Sequence, residues 1–335
     1  MARATGSTAL PERLAPPSER VSRFALELEQ LWPEVLSGKP PPRLGIAVSG
    51  GPDSCALLLL AAAALPGRVE AATVDHQLRP ESGEEAQFVA QLCARLAVPH
   101  RICAVEVQPG NLQSRAREAR YAALADWAEE RGLHAVATAH HADDQAETMI
   151  LRLNRASGVS GLAGARARGS VPGTRLALLR PLLGWRRSEL ADLLDTIGVA
   201  AVQDPSNLDD RFDRIRLRKA MAGSSFLDIS ATAQSASHLA DAADALEWAA
   251  LREWEESVCR KGPDLVYQPK APRAIALRVI ARIVSELDGA APRGGVAGNV
   301  FAQLAAGRPA SIGNLVARPG PDGWRFSKGP ARRHS

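Results

Sequence analysis

Two stretches of this chain carry residue types that could do chemistry on phosphates and amines. The first, Ser49-Gly50-Gly51-Pro52-Asp53-Ser54, closes an apolar run. Its glycines let a backbone approach a ligand closely, its serines add hydroxyl donors, and Asp53 can hold a magnesium ion that offsets phosphate charge. The second runs from Thr138 to Thr148 and contains His140, His141, Asp143, Asp144 and Glu147. On a helix opening at residue 143, Asp144 and Glu147 share a face, with His140 on the turn beside them. Such carboxylates can be plain N-terminal capping, or they can bind a cationic amine while the histidine contacts a nucleotide or intermediate. A metal site of His140, His141 and the acids is a further reading, although no H-E-x-x-H pattern is present.

These residues need strands and helices to position them. Residues 44–48 read as a buried strand and residues 55–64, rich in Ala and Leu, as a helix. The glycine stretch thus lies on a strand-to-helix turn, where free N–H groups and the helix dipole suit a phosphate. Strands are then expected at 69–74, 101–105, 135–139 and 176–179, with helices at 81–96, 114–131, 143–157 and from 188. This alternation implies an α/β fold, a doubly wound parallel sheet covered on both faces that collects ligands at the carboxyl ends of its strands. The polar stretch Val74-Asp75-His76-Gln77 follows the second strand. Alone it reads as a loop.

Residues 1–42 are expected as an N-terminal extension with one helix over 22–36. Residues 43–222 form the nucleotide domain. Residues 223–335 form a smaller, mainly helical domain with helices at 235–258 and 272–288, Trp248 and Trp254 in its core, and a small strand pair within 312–326.

The 335 residues are 46% apolar, with a formal charge of +4, enough for a sizeable core in about two domains. Four scattered cysteines without a C-x-x-C pair argue against a zinc ribbon, an iron–sulfur cluster or a disulfide framework, and fit a reducing cytoplasm. No apolar run reaches the ~18 residues of a membrane span. Cations cluster: Arg166, Arg168, Arg175, Arg180, Arg186 and Arg187 lie in a stretch without acids whose glycine-rich first half reads as a mobile loop. Five more cations, including Arg214, Arg216 and Arg218, fall between 211 and 219. Two such clusters beside a nucleotide site favour RNA as partner.

Ser49–Ser54, with no Walker lysine after it, resembles the PP-loop of enzymes that split ATP between its α- and β-phosphates. Together with 74–82, 113–121, 138–164, Arg180-Pro-Leu-Leu183 and 204–218, it is similar in order and spacing to the motifs of tRNA(Ile)-lysidine synthetases. The resemblance covers residues 44 to about 220. It implies ATP bound by Ser49, Gly50, Gly51, Pro52, Asp53, Ser54, Val74 and His76, and Mg²⁺ on Asp53. It implies L-lysine held by Asp144 and Glu147, and His140 and Arg214 beside the nucleotide or intermediate. It implies an isoleucine tRNA with a CAU anticodon contacted by Arg115, Arg117, Arg166, Arg168, Arg216 and Arg218. A cytoplasmic enzyme is expected, and a homodimer is left open. Ile215 stands where the family usually has asparagine, and Gln77 and Ala156 where glycine is common. The rival readings are another PP-loop tRNA modifier that thiolates cytidine or uridine, and a non-catalytic RNA- or nucleotide-binding module. The scattered cysteines weigh against the first and the carboxylate pair against the second.

Overall fold

The computed structural model describes residues 14–77, 82–106, 112–202, 213–292 and 295–329. Readings that fall on residues 1–13, 78–81 and 203–212 lie outside these. The chain divides into two compact units, one ending at His238 and the other starting at Leu239.

In the first unit, α1 (Ser18–Leu31) and α2 (Glu34–Ser37) precede β1 (Leu44–Ala47), α3 (Pro52–Ala64), β2 (Val69–Asp75) and α4 (Ser82–Arg95). Then come β3 (His100–Ala104), α5 (Leu112–Arg131), β4 (Ala135–Ala137) and α6 (Ala142–Leu153). α7 (Val159–Leu162), β5 (Arg168–Ser170), β6 (Ala177–Leu179), α8 (Arg187–Ile197) and α9 (Asp213–Ala222) complete it. The sheet order is β3-β2-β1-β4-β6-β5, parallel except for β5 at the edge. Strand order reverses beside β1, which pairs with both β2 and β4. A crevice opens outside the carboxyl ends of strands at such a reversal.

Both faces of the sheet are covered. On one, Leu57, Leu58, Leu59 and Leu60 of α3 pack with Ile46, Ala71, Phe24, Leu28, Trp185 and Leu193. α3 is buried on nearly all sides because α1, α8 and the sheet enclose it, so its sequence is apolar throughout rather than striped. On the other face Tyr121, Leu124 and Trp127 of α5 pack on Ala72, Val136 and Leu178. A Cβ at Gly45 would lie 2.7 Å from the Trp127 ring, so the glycine is what lets the indole rest on β1. Each such buried large side chain contributes roughly 1.5–3 kcal/mol.

Two local expectations fail for clear reasons. The single helix expected over 22–36 breaks at Trp32-Pro33, since proline cannot donate to the preceding turn and clashes with it. The glycine-rich stretch expected as a mobile loop holds the turn α7 and edge strand β5. The Gln145 amide clamps its middle, accepting from Ala165 N at 2.8 Å and donating to Ala165 O at 2.9 Å.

α10 (Ile229–Ser257) carries the chain into the second unit. There β7 (Val258–Lys261), β8 (Asp264–Tyr267), α11 (Arg273–Asp288), α12 (Val296–Ala305), β9 (Ala310–Ile312), β10 (Leu315–Gly320) and β11 (Gly323–Lys328) follow. Helical residues predominate, and the expected strand pair is part of a five-stranded antiparallel sheet, β7-β8-β11-β10-β9. Ile275, Val279, Ile280 and Ile283 pack against Leu265, Tyr267, Leu315 and Phe326. Trp254 borders this core, but Trp248 is 61% exposed and does not belong to it. Among the described residues no helix is long and apolar enough to cross a membrane.

Candidate active site

The turn after β1 is folded around its own serines. Ser54 Oγ accepts from Ser49 N at 3.1 Å and donates to Gly51 O at 2.9 Å, while the two hydroxyl oxygens lie 3.3 Å apart. Gly50 has φ +88°, a conformation that side chains disfavour. Gly51 differs: a Cβ there would meet only Ser49 Oγ, at 3.7 Å. The fold itself therefore leaves room for a side chain at Gly51, and its absence keeps a cradle open at the first turn of α3. Pro52 occupies the first helical position, where a missing N–H costs nothing.

A cavity of about 240 Å³ opens beside this turn. Ser49, Gly51, Asp53, Ser54 and Val74 line it, with Thr138, His140, Asp144 and Arg214 from the β4 side and from α9. Asp53 Oδ1 is buried without a hydrogen-bond partner. An unpaired buried carboxylate oxygen is costly unless a cation completes it. Among the described residues no group of three or more His, Cys, Asp or Glu could hold a metal, so a metal here would rest on Asp53 and on ligand oxygens, the usual manner of Mg²⁺.

The two histidines are opposites. Burial, with Arg180, Arg120, Arg117 and Arg214 around it, pushes His140 down to about 3, and its Nδ1 lies 3.0 Å from Thr138 Oγ1. It is neutral at physiological pH. His141, fully buried, lies 3.4 Å from Asp53, 3.6 Å from Asp143 and 3.5 Å from Asp144. Burial pulls its pKa down, but Asp143 and Asp53, then Asp144, outweigh it and raise it to about 9. These distances exceed a well-formed hydrogen bond, so the attraction is chiefly Coulombic. Asp143, though half-buried, is held below the usual carboxylate range by His141, the Arg187 N–H and Arg186.

Glu147 is 1% exposed and does not line this cavity. Arg214 Nε and Arg218 Nε each donate to it at 2.8 Å, and Arg187 lies 3.6 Å away. Burial raises its pKa, and these arginines more than reverse the effect. Arg214 also reaches Asp144 at 3.4 Å. Arg214 and Arg218, four apart on α9, share the face turned to Glu147. Glu147 lines a second cavity of about 610 Å³, together with Asp143, Arg218, Met221, Leu227 and Asp228.

With this geometry in view, the chain can be set beside known proteins. The profile of the PP-loop domain matches residues 21–224. The tRNA(Ile)-lysidine synthase of Novosphingobium aromaticivorans is 48% identical over 319 residues, which cover 94% of this chain and 96% of that protein. The chain belongs to the tRNA(Ile)-lysidine synthase family. The family's member from Zymomonas mobilis is 39% identical over 306 residues, covering 89% of this chain and 92% of that one. A U34-tRNA thiolase structure from Methanococcus maripaludis aligns at TM-score 0.51 with 13% identity, covering 66% of this chain and 78% of that one, a likeness of fold alone.

In this lysidine-synthase family member the structure brings Ser49, Gly51, Asp53, Ser54, Val74, His140, Asp144 and Arg214 to one cavity. His76 lies outside that lining, half-buried, with Nδ1 unpartnered. The arginines expected to meet RNA fall in different settings. Arg115 is exposed beside Glu118, and Arg117 is exposed over the Tyr121 ring. Arg168 donates to Glu34 and to Leu31 O, Arg216 pairs with Asp213, and Arg218 faces Glu147. Arg166 accepts at its carbonyl from Arg180. The sequence reading gave Thr138 and Arg120 no individual role, weighed His141 only as a metal ligand, and took Arg180 only as part of a cation cluster and a motif. A histidine at the junction of a strand and an acid-rich first turn was the one available signal for His141. Cys55 and Cys93 are buried, and burial pushes both thiols up to about 12, so neither is poised to carry sulfur.

Proposed function

We propose that this chain carries out its family's reaction in the cytoplasm. The O2 of the wobble cytidine in the CAU anticodon of an isoleucine tRNA attacks the α-phosphorus of ATP, and pyrophosphate leaves. The side-chain amine of L-lysine then attacks C2, the C2–O bond breaks, and AMP departs with that oxygen. ATP use goes with the PP-loop domain. The single observation that supports the chemistry on this chain's own residues is the shared cavity of Asp53, His140, Asp144 and Arg214.

In this reading the Gly51 cradle, Ser49 and Ser54 receive the β- and γ-phosphates at the start of α3, where N–H groups are free. Asp53 Oδ1 would hold Mg²⁺, which when bound supplies positive charge against the departing pyrophosphate. His140, neutral and fixed by Thr138, offers a hydrogen bond to the nucleotide or cytosine without adding charge. Holding cytosine O2 and the α-phosphate in reacting geometry supplies up to roughly 7–11 kcal/mol. Lysine, whose ammonium has a reference pKa near ~10.4, must lose a proton before attack. Asp144 faces the cavity and is assigned as its acceptor. Glu147 is a poor base because three arginines stabilise its anion, so it anchors Arg214 at the edge of the larger cavity.

The test follows pyrophosphate release and lysidine formation with ATP, L-lysine and the isoleucine tRNA together, and with each omitted. Lysidine is expected only from the complete mixture. No lysidine from that mixture, or a product that needs a sulfur donor, overturns the reading.

A further inference from the structure

Around Tyr121 the structure gathers positive charge that the chemistry above leaves unused. Arg117 and Arg120 lie over its ring, with Cζ 4.9 and 5.2 Å from the centroid. Arg180, from the end of β6, is 8% exposed; burial disfavours its charge, the nearby Arg117 and Arg120 add to that, and Tyr121 offsets part of it. All three surround His140. Among the described residues none of the three has a carboxylate partner. Arg180 Nη1 donates to Arg166 O at 2.6 Å and its guanidinium lies beside the Tyr121 hydroxyl, but Arg180 Nε and Arg120 Nε are buried without a hydrogen-bond partner. Like charges set side by side with buried, unsatisfied donors are unfavourable unless an anion completes them.

The three guanidinia also stand at graded depths. Arg117 is exposed, Arg120 is half-buried and lines the cavity, and Arg180 is buried. Stacking on a tyrosine holds the planar fork of Arg117 and of Arg120 ready for a bidentate phosphate contact. ATP already has the glycine turn for its phosphates, and a nucleotide has no use for a cation at the outer surface. A strand that runs from solvent into the cavity does.

We infer that Arg117, Arg120 and Arg180 form a second phosphate-binding track, separate from the glycine turn, that holds the backbone of the RNA strand whose nucleotide enters the cavity. The inference deepens the RNA reading above and rests on it. It adds Arg120 and Arg180 to the RNA contacts and gives Arg117 a defined ligand, a backbone phosphate next to the reacting nucleotide.

The test uses the full chain and an anticodon stem-loop RNA carrying CAU, with binding measured across a salt series. Arg117→Gln and Arg180→Gln should each weaken RNA binding roughly fivefold or more near 0.1 M salt, and each should lower the log–log salt slope by about 0.7–0.9. ATP affinity should stay within about twofold. Should Arg180→Gln fail to fold, the exposed Arg117→Gln carries the test with one more measurement. A neutral methylphosphonate beside the wobble cytidine should weaken binding to the wild type and leave Arg117→Gln unaffected. Unchanged salt slopes overturn the track, as does a loss of ATP affinity with RNA binding intact, which would assign the arginines to the nucleotide. Lysidine formation by the wild type is scored separately. Lysidine with unchanged slopes refutes the track alone, and lowered slopes without lysidine refute the reaction and leave the track.

Discussion

Arg214 donates from Nε to Glu147 Oε2 at 2.8 Å, and the same guanidinium reaches Asp144 at 3.4 Å. One cation therefore ties the cavity-facing carboxylate to the buried one. The acidic pair is thus already neutralised in part, and in the proposed reaction an incoming ammonium would have to displace or share a guanidinium rather than fill an empty anionic hole. This divides the pair into Asp144, open to the cavity, and Glu147, a buried anchor.

Glu147→Gln should behave as a loss of that anchor. Removing the buried charge leaves Arg214, Arg218 and Arg187 without their common anion, at a cost of about 2–3 kcal/mol, below the usual range for a buried pair because the arginines are partly exposed. Urea unfolding monitored by fluorescence checks this. Unchanged stability together with a selective rise in the KM for lysine would make Glu147 a substrate ligand instead.

The two glycines of the turn should separate stability from function. Gly50→Ala forces a side chain to φ +88° and should destabilise by about 1–3 kcal/mol. Gly51→Ala meets nothing closer than 3.7 Å and should melt within about 1 °C of the wild type while raising the KM for ATP at least roughly tenfold. Melting curves and pyrophosphate-release kinetics distinguish them. An unimpaired Gly51→Ala enzyme would mean that no phosphate occupies the cradle.

His140 should resist protonation. Its folded pKa of about 3 lies below the unfolded value of about 6.5, so between these limits the unfolded chain binds more protons and stability falls as pH drops. Its ring proton shift in NMR should hold the neutral value down to about pH 4. A midpoint near 6.5 would contradict the burial and the arginine surround described here.

Among the described residues three non-glycines sit in glycine-like backbone, Ala97 at φ +51° and two at positions singled out in the sequence. Gln77 has φ +52° and Ala156 φ +51°. Ala156→Gly should therefore gain up to roughly 1 kcal/mol from relieved backbone strain, less what glycine adds to the entropy of the unfolded chain. A loss of more than that on chemical denaturation would show that Ala156 bears no strain.

Much of this was legible in residue order. The apolar run at 44–48 and the spacing of later runs announced a parallel sheet. The residue types of Asp53, His140, Asp144 and Arg214 marked places that the fold brings to one cavity. The positive φ at Gln77 and Ala156 is the backbone that the family resemblance, with its expectation of glycine there, implied. What stayed hidden depends on tertiary approach. His141 becomes a buried cation only because α3 and α6 bring three carboxylates around it. Glu147 looked free on a helix face because the arginines that hold it come from α8 and α9. Trp248 was read as core from its residue type, whereas Asp244 and Arg252, one turn away on either side, mark its side of α10 as polar.

The most direct test of the central claim, that one cavity adenylates a cytidine and then delivers an amine to it, is transfer of label from [α-³²P]ATP to the isoleucine tRNA without lysine, followed by a lysine chase. The account predicts labelled tRNA with the wild type and with Asp144→Asn, release of labelled AMP on chasing only the wild type, and no labelled tRNA with Asp53→Asn. Label that never reaches the tRNA in the wild type, or Asp144→Asn tRNA that releases AMP to lysine at the wild-type rate, would contradict it.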